Sequence, residues 1–124
     1  MWNYVAVALG GVVGCCARFG VTELVQYWFG LAFPLATLTI NVTGCLAMGF
    51  LFFYASEHNS VSPSVRIGLL SGLLGGFTTF SAFAMETVLL AEQGKALQAL
   101  SYVLLSVLLG LAAAVLGAWI ARSL

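Results

Sequence analysis

Four stretches of this chain carry no charged residue: 1–17, 24–56, 67–85 and 96–121. An α-helix rises about 1.5 Å per residue, so crossing a bilayer's hydrocarbon core takes about 20 apolar residues. Four blocks of that size leave almost none of the 124 residues for anything else. Only 6% of the residues are charged, against roughly 25% in a soluble domain, too few to cover a water-facing surface. Backbone groups in lipid must bond internally, which leaves helices or a closed barrel. Barrel strands would alternate polar and apolar residues, and these blocks do not. The expected fold is therefore all-α: one domain of four transmembrane helices, spanning about 2–29, 34–56, 63–92 and 95–122.

The ends of the spans carry the expected markers. Trp2 and Tyr4 open the first and Tyr27 and Trp28 close it, while Tyr54 and Trp119 sit near the ends of the second and fourth. Such aromatics belong to the headgroup layer. Pro34 and Pro63 suit helix starts, and Gly94 separates spans three and four. The first span lacks a basic leader region and is expected to be retained rather than cleaved. Cys15, Cys16 and Cys45 lie within spans and read as small hydrophobes. His58, in the polar loop EHNSVSPS (57–64), reads as a solvated residue because no second His or Cys accompanies it.

The basic residues give no preferred orientation. Arg66 and Arg122 fall on the N-terminal side, and Lys95 and Arg18 on the other, two against two. A balanced count removes the usual positive-inside bias. It fits either chance balance or a chain that inserts both ways and pairs as an antiparallel homodimer, with the pseudo-symmetry that transporters usually gain from inverted repeats.

Polar groups inside the spans are costly unless they pair or meet water. Thr37, Asn41 and Gly44 share one face of span 2, where Asn41 serves either as glue between helices or as a site. In span 3, Gly68, Gly72 and Gly76 recur every four residues and permit close helix approach. Gly75 and Gly76 then sit side by side in mid-membrane, each weakening the helix by roughly 1 kcal/mol relative to Ala. Thr78, Thr79 and Ser81 follow, with hydroxyls able to bond freed backbone groups. The sequence thus predicts a broken third helix, either a packing kink or a cavity-lining ion site. Phe77, Phe80 and Phe83 follow at three-residue spacing. A ring's positive edge offers an anion a weak site, and Asn41 adds an amide donor. In span 4, Tyr102, Ser106 and Gly110 share a face, and with Thr37, Asn41 and Ser81 they form a candidate polar track. Glu86 is expected to pair with Lys95 or to accept backbone bonds, and Glu23 to be interfacial.

Three segments together resemble the small fluoride channels of bacterial membranes, the CrcB or Fluc family: GGVVGCCARFG (10–20), PLATLTINVTG (34–44) and GLLGGFTTFSAFAMETVLL (72–90). The resemblance spans all four helices, and GGFTTFSAF is its most specific part. It implies an antiparallel, dual-topology homodimer in the bacterial inner membrane, with two pores that passively export fluoride and so protect the cell from its toxicity. It places Asn41, Phe80 and Phe83 in each pore, with Thr79, Ser81, Tyr102 and Ser106 near it, and Arg18 by a wide aqueous vestibule. It also implies a structural sodium ion at the dimer interface, held by the main-chain carbonyls of Gly75 and Thr78 of both copies. The expected partners are fluoride, sodium, a second copy and the lipid bilayer, with no nucleic acid. The chain departs from the family's usual pattern at Cys15, Cys16, Phe19, Ala36 and Ala82. The alternative function is a proton-coupled small multidrug or guanidinium exporter, which needs a carboxylate in the middle of span 1, where this chain has Gly10 and Gly14. An enzyme is not expected, because no cluster of nucleophile, base and acid is visible.

Overall fold

A computed structural model describes residues 1–57 and 61–124; the reading of His58 falls outside them. The described residues are helical throughout apart from short connections. Helix α1 covers Trp2–Phe29 and α2 covers Leu35–Glu57. The third span is composite: α3 (Pro63–Ile67), a wider π-helical segment over Gly68–Leu74, α4 (Gly75–Phe77) and α5 (Phe80–Glu92). Helix α6 covers Ala96–Arg122. Four rods, Trp2–Phe29, Leu35–Ser56, Pro63–Glu92 and Ala96–Arg122, are long and apolar enough to cross a membrane. At about 1.5 Å per residue, α1 is about 42 Å long, enough to carry its terminal aromatics into the headgroup layers.

The helix ends follow local chemistry. Gly30 stops α1 in the left-handed region, at φ 74°, with its N–H on the Gln26 carbonyl at 2.8 Å. Gly94 adopts the same φ between α5 and α6. A side chain at either position would meet the penalty that makes glycine the usual residue there. The Pro34 carbonyl takes the first bond of α2, from the Leu38 N–H at 3.2 Å. Pro63 opens α3 behind Ser62, whose hydroxyl accepts the Val65 N–H.

The helices associate in two principal pairs, α2 with α6 and α1 with the third span. Lipid gives apolar helices little hydrophobic reason to associate, so close packing of small residues must hold the pairs. A Cβ on Gly117 would fall on the Leu46 carbonyl of α2, and one on Gly14 on the Leu73 carbonyl of the third span. The glycine stripe expected to admit a neighbouring helix does so: Gly68 faces Ala6, Gly72 faces Val7 and Gly10, and Gly76 faces Gly11 and Cys15. Tyr102 and Ile40 are the largest fully buried side chains among the described residues, and most large apolar side chains of α1 and α6 point outward.

The interruption in the third span does not lie at the paired glycines. Gly75 is helical, at φ −64° and ψ −37°. The extended residues are Thr78 (φ −79°, ψ 159°) and Thr79 (φ −151°, ψ 120°). The reason is a side chain from another helix. Asn41 of α2 accepts the Thr79 N–H on Oδ1 and donates Nδ2 to the Thr79 carbonyl, both at 2.9 Å. This amide pairing replaces the bonds that a continuous helix would have given Thr79. Thr78 closes the turn before it, with its N–H and hydroxyl both on the Leu74 carbonyl at 3.0 and 2.9 Å. The Thr79 hydroxyl then caps α5 by accepting the Ala82 N–H at 3.3 Å.

Candidate functional site

The Asn41 clamp has a second effect, on the carbonyls that precede it. In a helix the Gly75 carbonyl would accept from the Thr79 N–H, and the Thr78 carbonyl from the Ala82 N–H. Both donors are diverted, the first to Asn41 Oδ1 and the second to Thr79 Oγ1. Gly75 and Thr78 are thus left with main-chain oxygens stripped of their helical donors. Gly75 is also exposed on the face of the single chain. The bonding pattern fixes the Asn41 amide orientation, because only its oxygen can receive the Thr79 N–H. One of the two Nδ2 hydrogens is used on the Thr79 carbonyl, so one remains.

Beside this junction lies an open pocket of about 300 Å³, whose walls include Asn41, Cys45, Thr79, Phe80, Phe83 and Ser106. It brings together residues from spans 2, 3 and 4, and Thr78 also lines it. Phe80, four-fifths exposed, forms its outer wall. Phe83 stands further in, its ring 5.5 Å from that of Phe80 and 5.2 Å from that of Tyr102. The Ser106 hydroxyl is buried and has no hydrogen-bond partner among the described residues. Buried hydroxyls are normally satisfied, so an unsatisfied one in a pocket wall marks room for a ligand or water. The pocket thus holds weak positive ring edges, an orphan hydroxyl and an amide N–H, with no charged side chain among the lining residues.

Glu86 does neither of the things expected of it. Among the described residues it meets neither Lys95, whose ammonium donates to Gln93 Oε1 at 2.9 Å, nor a backbone donor. Instead its carboxylate joins three spans. Thr37 Oγ1 donates to Oε1 at 2.7 Å, and Tyr102 Oη donates to Oε2 at 2.6 Å. Tyr102 is wholly buried, with Phe33 edge-on at 5.6 Å. Hydrogen bonds of this kind make a carboxyl group within a span affordable in lipid. The expected polar track is therefore two clusters: Thr37, Glu86 and Tyr102 in one, and Asn41, Thr79 and Ser106 around the pocket in the other.

The remaining residues fall outside the pocket wall. Ser81 is exposed, its hydroxyl 3.4 Å from that of Thr79. Gly75 is exposed and is not among the residues that line the pocket. Arg18 stands on α1, with Nη2 3.7 Å from Cys15 Sγ and its carbonyl accepting the Thr22 hydroxyl at 2.9 Å. Cys45 and Met48 line the pocket and were not anticipated. Their spacing from Asn41, four and seven residues, puts them on its helical face, and that was the available signal.

These features define a multi-pass helical membrane protein whose pocket, walled by aromatic rings and hydroxyls, lies at an interruption of the third span. The chain belongs to the family described as CrcB-like protein, Camphor Resistance (CrcB), which it matches over residues 5–118. It is 53% identical over 117 residues to a protein of Acidithiobacillus ferrooxidans named fluoride-specific ion channel FluC, covering 94% of each chain. A protein of the same name from Methylobacillus flagellatus is 45% identical over 112 residues, 90% of this chain and 88% of its own. Another from Aquifex aeolicus is 41% identical over 119 residues, 96% of each chain.

Proposed function

We propose that this chain is a fluoride-selective channel that lets the ion leave the cell passively. The observation that carries the reading is the uncharged pocket at the third-span interruption, in which the orphan Ser106 hydroxyl faces the same space as Phe80, Phe83 and the spare N–H of Asn41. Fluoride is small and strongly hydrated, so a path for it must supply donors in place of water. It must also avoid a full positive charge that would hold the ion too tightly to release it. Hydroxyl, amide and ring-edge donors meet both demands. The names of the relatives point to the same ion.

The working unit is an antiparallel pair of chains in the bacterial inner membrane. Phe80, Ser81 and Gly75 are all exposed on the single chain, and polar or functional groups at that depth call for cover by protein rather than lipid. A second copy in the opposite sense closes the open side of the pocket and gives two pores. The balanced basic residues are compatible with insertion both ways.

A sodium ion between the copies belongs to the same reading. Its preferred ligands are hard oxygens, and the Gly75 and Thr78 carbonyls have lost their helical donors to Thr79 Oγ1 and Asn41. Two such carbonyls from each copy would hold it. When bound, the ion supplies positive charge that offsets the converging carbonyl dipoles. The chain's own contribution is the Asn41 clamp, which keeps those oxygens out of the helix ladder. Arg18 attracts anions towards a vestibule through a long-range field that salt weakens.

The test is fluoride release from sealed vesicles carrying the purified protein, followed with a fluoride electrode and with chloride as the control. Wild type releases fluoride and retains chloride. Phe80→Ile and Phe83→Ile, which keep apolar bulk but remove the ring edges, stop release while the protein still elutes as a dimer. Release at the wild-type rate from both variants would overturn the ring-edge mechanism.

A further inference from the structure

A second pocket, larger at about 530 Å³, follows the crease between α2 and α6 towards the end of the molecule that carries the chain's N-terminus. It is separate from the aromatic pocket except at Met48, and its chemistry is different. The slot is apolar along its length, floored by the small residues Gly49, Ala114 and Ala118 and rimmed by Phe52, Val115 and Trp119. From Ala114 to Arg122 it extends about 12 Å along α6. Its outer end is cationic. Arg122 lines that end, its guanidinium carbon 4.1 Å from the centre of the Phe53 ring. Arg66, from α3, lies 5.2 Å over the neighbouring Phe52 ring and donates Nη2 to the Ser56 hydroxyl at 2.7 Å. The two rings are 5.3 Å apart and nearly perpendicular; Arg122 lines the slot itself, while Arg66 lines the neighbouring pocket and reaches the slot through the Phe52 ring that rims it. Trp119, two-thirds exposed, marks this level as the headgroup layer.

From this geometry we infer a binding site for an anionic phospholipid, with one acyl chain in the α2–α6 slot and the phosphate against Arg66 and Arg122. The charge pattern is what selects this occupant. An apolar slot alone would accept any lipid tail, but here it ends in Arg122, with Arg66 one aromatic ring away, at the level that Trp119 marks. Guanidinium groups pair with phosphate oxygens through parallel N–H bonds, and stacking on the rings holds both side chains in place beforehand. Basic pockets between transmembrane helices are suited to anionic headgroups. Arg122 has other contacts of its own. A guanidinium carries five N–H donors, so the site does not require it to be otherwise free. A soluble anion would use the arginines but leave the slot idle. A second copy in the antiparallel sense would bring its Glu23 and Glu92 to that end, and the Val115→Trp arm of the experiment below separates that occupant from a lipid.

The experiment is native mass spectrometry of the purified full-length protein in detergent, titrated with dioleoyl phosphatidylglycerol or dioleoyl phosphatidylcholine. The expected result is retention of phosphatidylglycerol in clear preference to phosphatidylcholine. Arg122→Gln and Arg66→Gln each weaken that retention about fivefold, and the double variant about 25-fold, the size set by one basic residue at a membrane surface. Lys95→Gln, at the opposite end, leaves it unchanged. Val115→Trp keeps both arginines but fills the slot, and it lowers retention by a similar factor. Equal retention of the two lipids by wild type, or wild-type retention by both single arginine variants, overturns the site. So does a Val115→Trp protein that binds lipid normally but no longer self-associates by size-exclusion with light scattering, since the slot would then be covered by a second copy.

Discussion

Replacing Asn41 with alanine removes the amide that holds Thr79 out of the helix. Two bonds at 2.9 Å disappear together. Thr79 is buried, so its freed N–H has little access to bulk water. An orphaned buried donor costs about 1–3 kcal/mol, and the lost bond to the Thr79 carbonyl adds about 1 kcal/mol. The expected loss of stability is therefore about 2–4 kcal/mol, measured by reversible denaturant unfolding in detergent micelles. The control is Thr43→Ala on the same helix, whose hydroxyl only bonds back to the Thr39 and Ile40 carbonyls and whose removal should cost under about 0.5 kcal/mol. The variant also has a predicted conformational outcome. The freed Thr79 N–H has a nearby alternative in the Gly75 carbonyl, its natural helical acceptor. Closing that bond lengthens α4 and withdraws the Gly75 oxygen from any cation. Fluoride release from vesicles should fall with stability and cease to respond to replacement of sodium by a large organic cation. An Asn41→Ala protein that unfolds like wild type and still releases fluoride in a sodium-dependent way would refute the clamp.

Three further outcomes follow from other contacts. Tyr102→Phe keeps the ring packing against Phe33 and Phe83 but strips Glu86 Oε2 of its donor; it should cost about 1–3 kcal/mol in the same unfolding assay. Gly14→Ala places a methyl group on the Leu73 carbonyl and should destabilise by about 1–3 kcal/mol, whereas Gly20→Ala, with nothing within 4 Å, should be neutral or stabilising. Arg18→Gln should slow fluoride release at low ionic strength and lose most of that effect at about 1 M salt, where the Debye length is about 3 Å; a salt-independent effect would point to a local role instead.

The features legible in the sequence were those set by residues near one another along the chain. Charge-free blocks marked the spans because lipid penalises each charge where it stands. The stripe Gly68, Gly72, Gly76 marked a helix seam because its period matches the helix itself. The position of the interruption was not legible in the same way. Paired glycines are the weakest point by intrinsic propensity, but the deciding bonds come from Asn41, 38 residues away. Without knowing that α2 and the third span are neighbours, nothing singles out Thr79 over Gly75. Glu86 was misjudged for the same reason: its partners lie on α2 and α6, and Lys95, close in sequence, was the tempting choice. Asn41, Thr79, Phe80, Phe83 and Ser106 were named from the sequence and do share one pocket, whereas Ser81 and Tyr102, named with them, do not line it.

The wider helical segment over Gly68–Leu74 bears on which changes in length the chain tolerates. Each residue of an ordinary helix turns the chain by about 100°, so the number of residues in this segment sets the azimuth of everything beyond it. Deleting Ser71, an exposed residue with little to lose by itself, would swing Thr79 away from Asn41 and Glu86 away from Thr37 and Tyr102 in one step. Substitution there should be mild and deletion ruinous: the segment acts as a dial whose count of residues matters more than their identity.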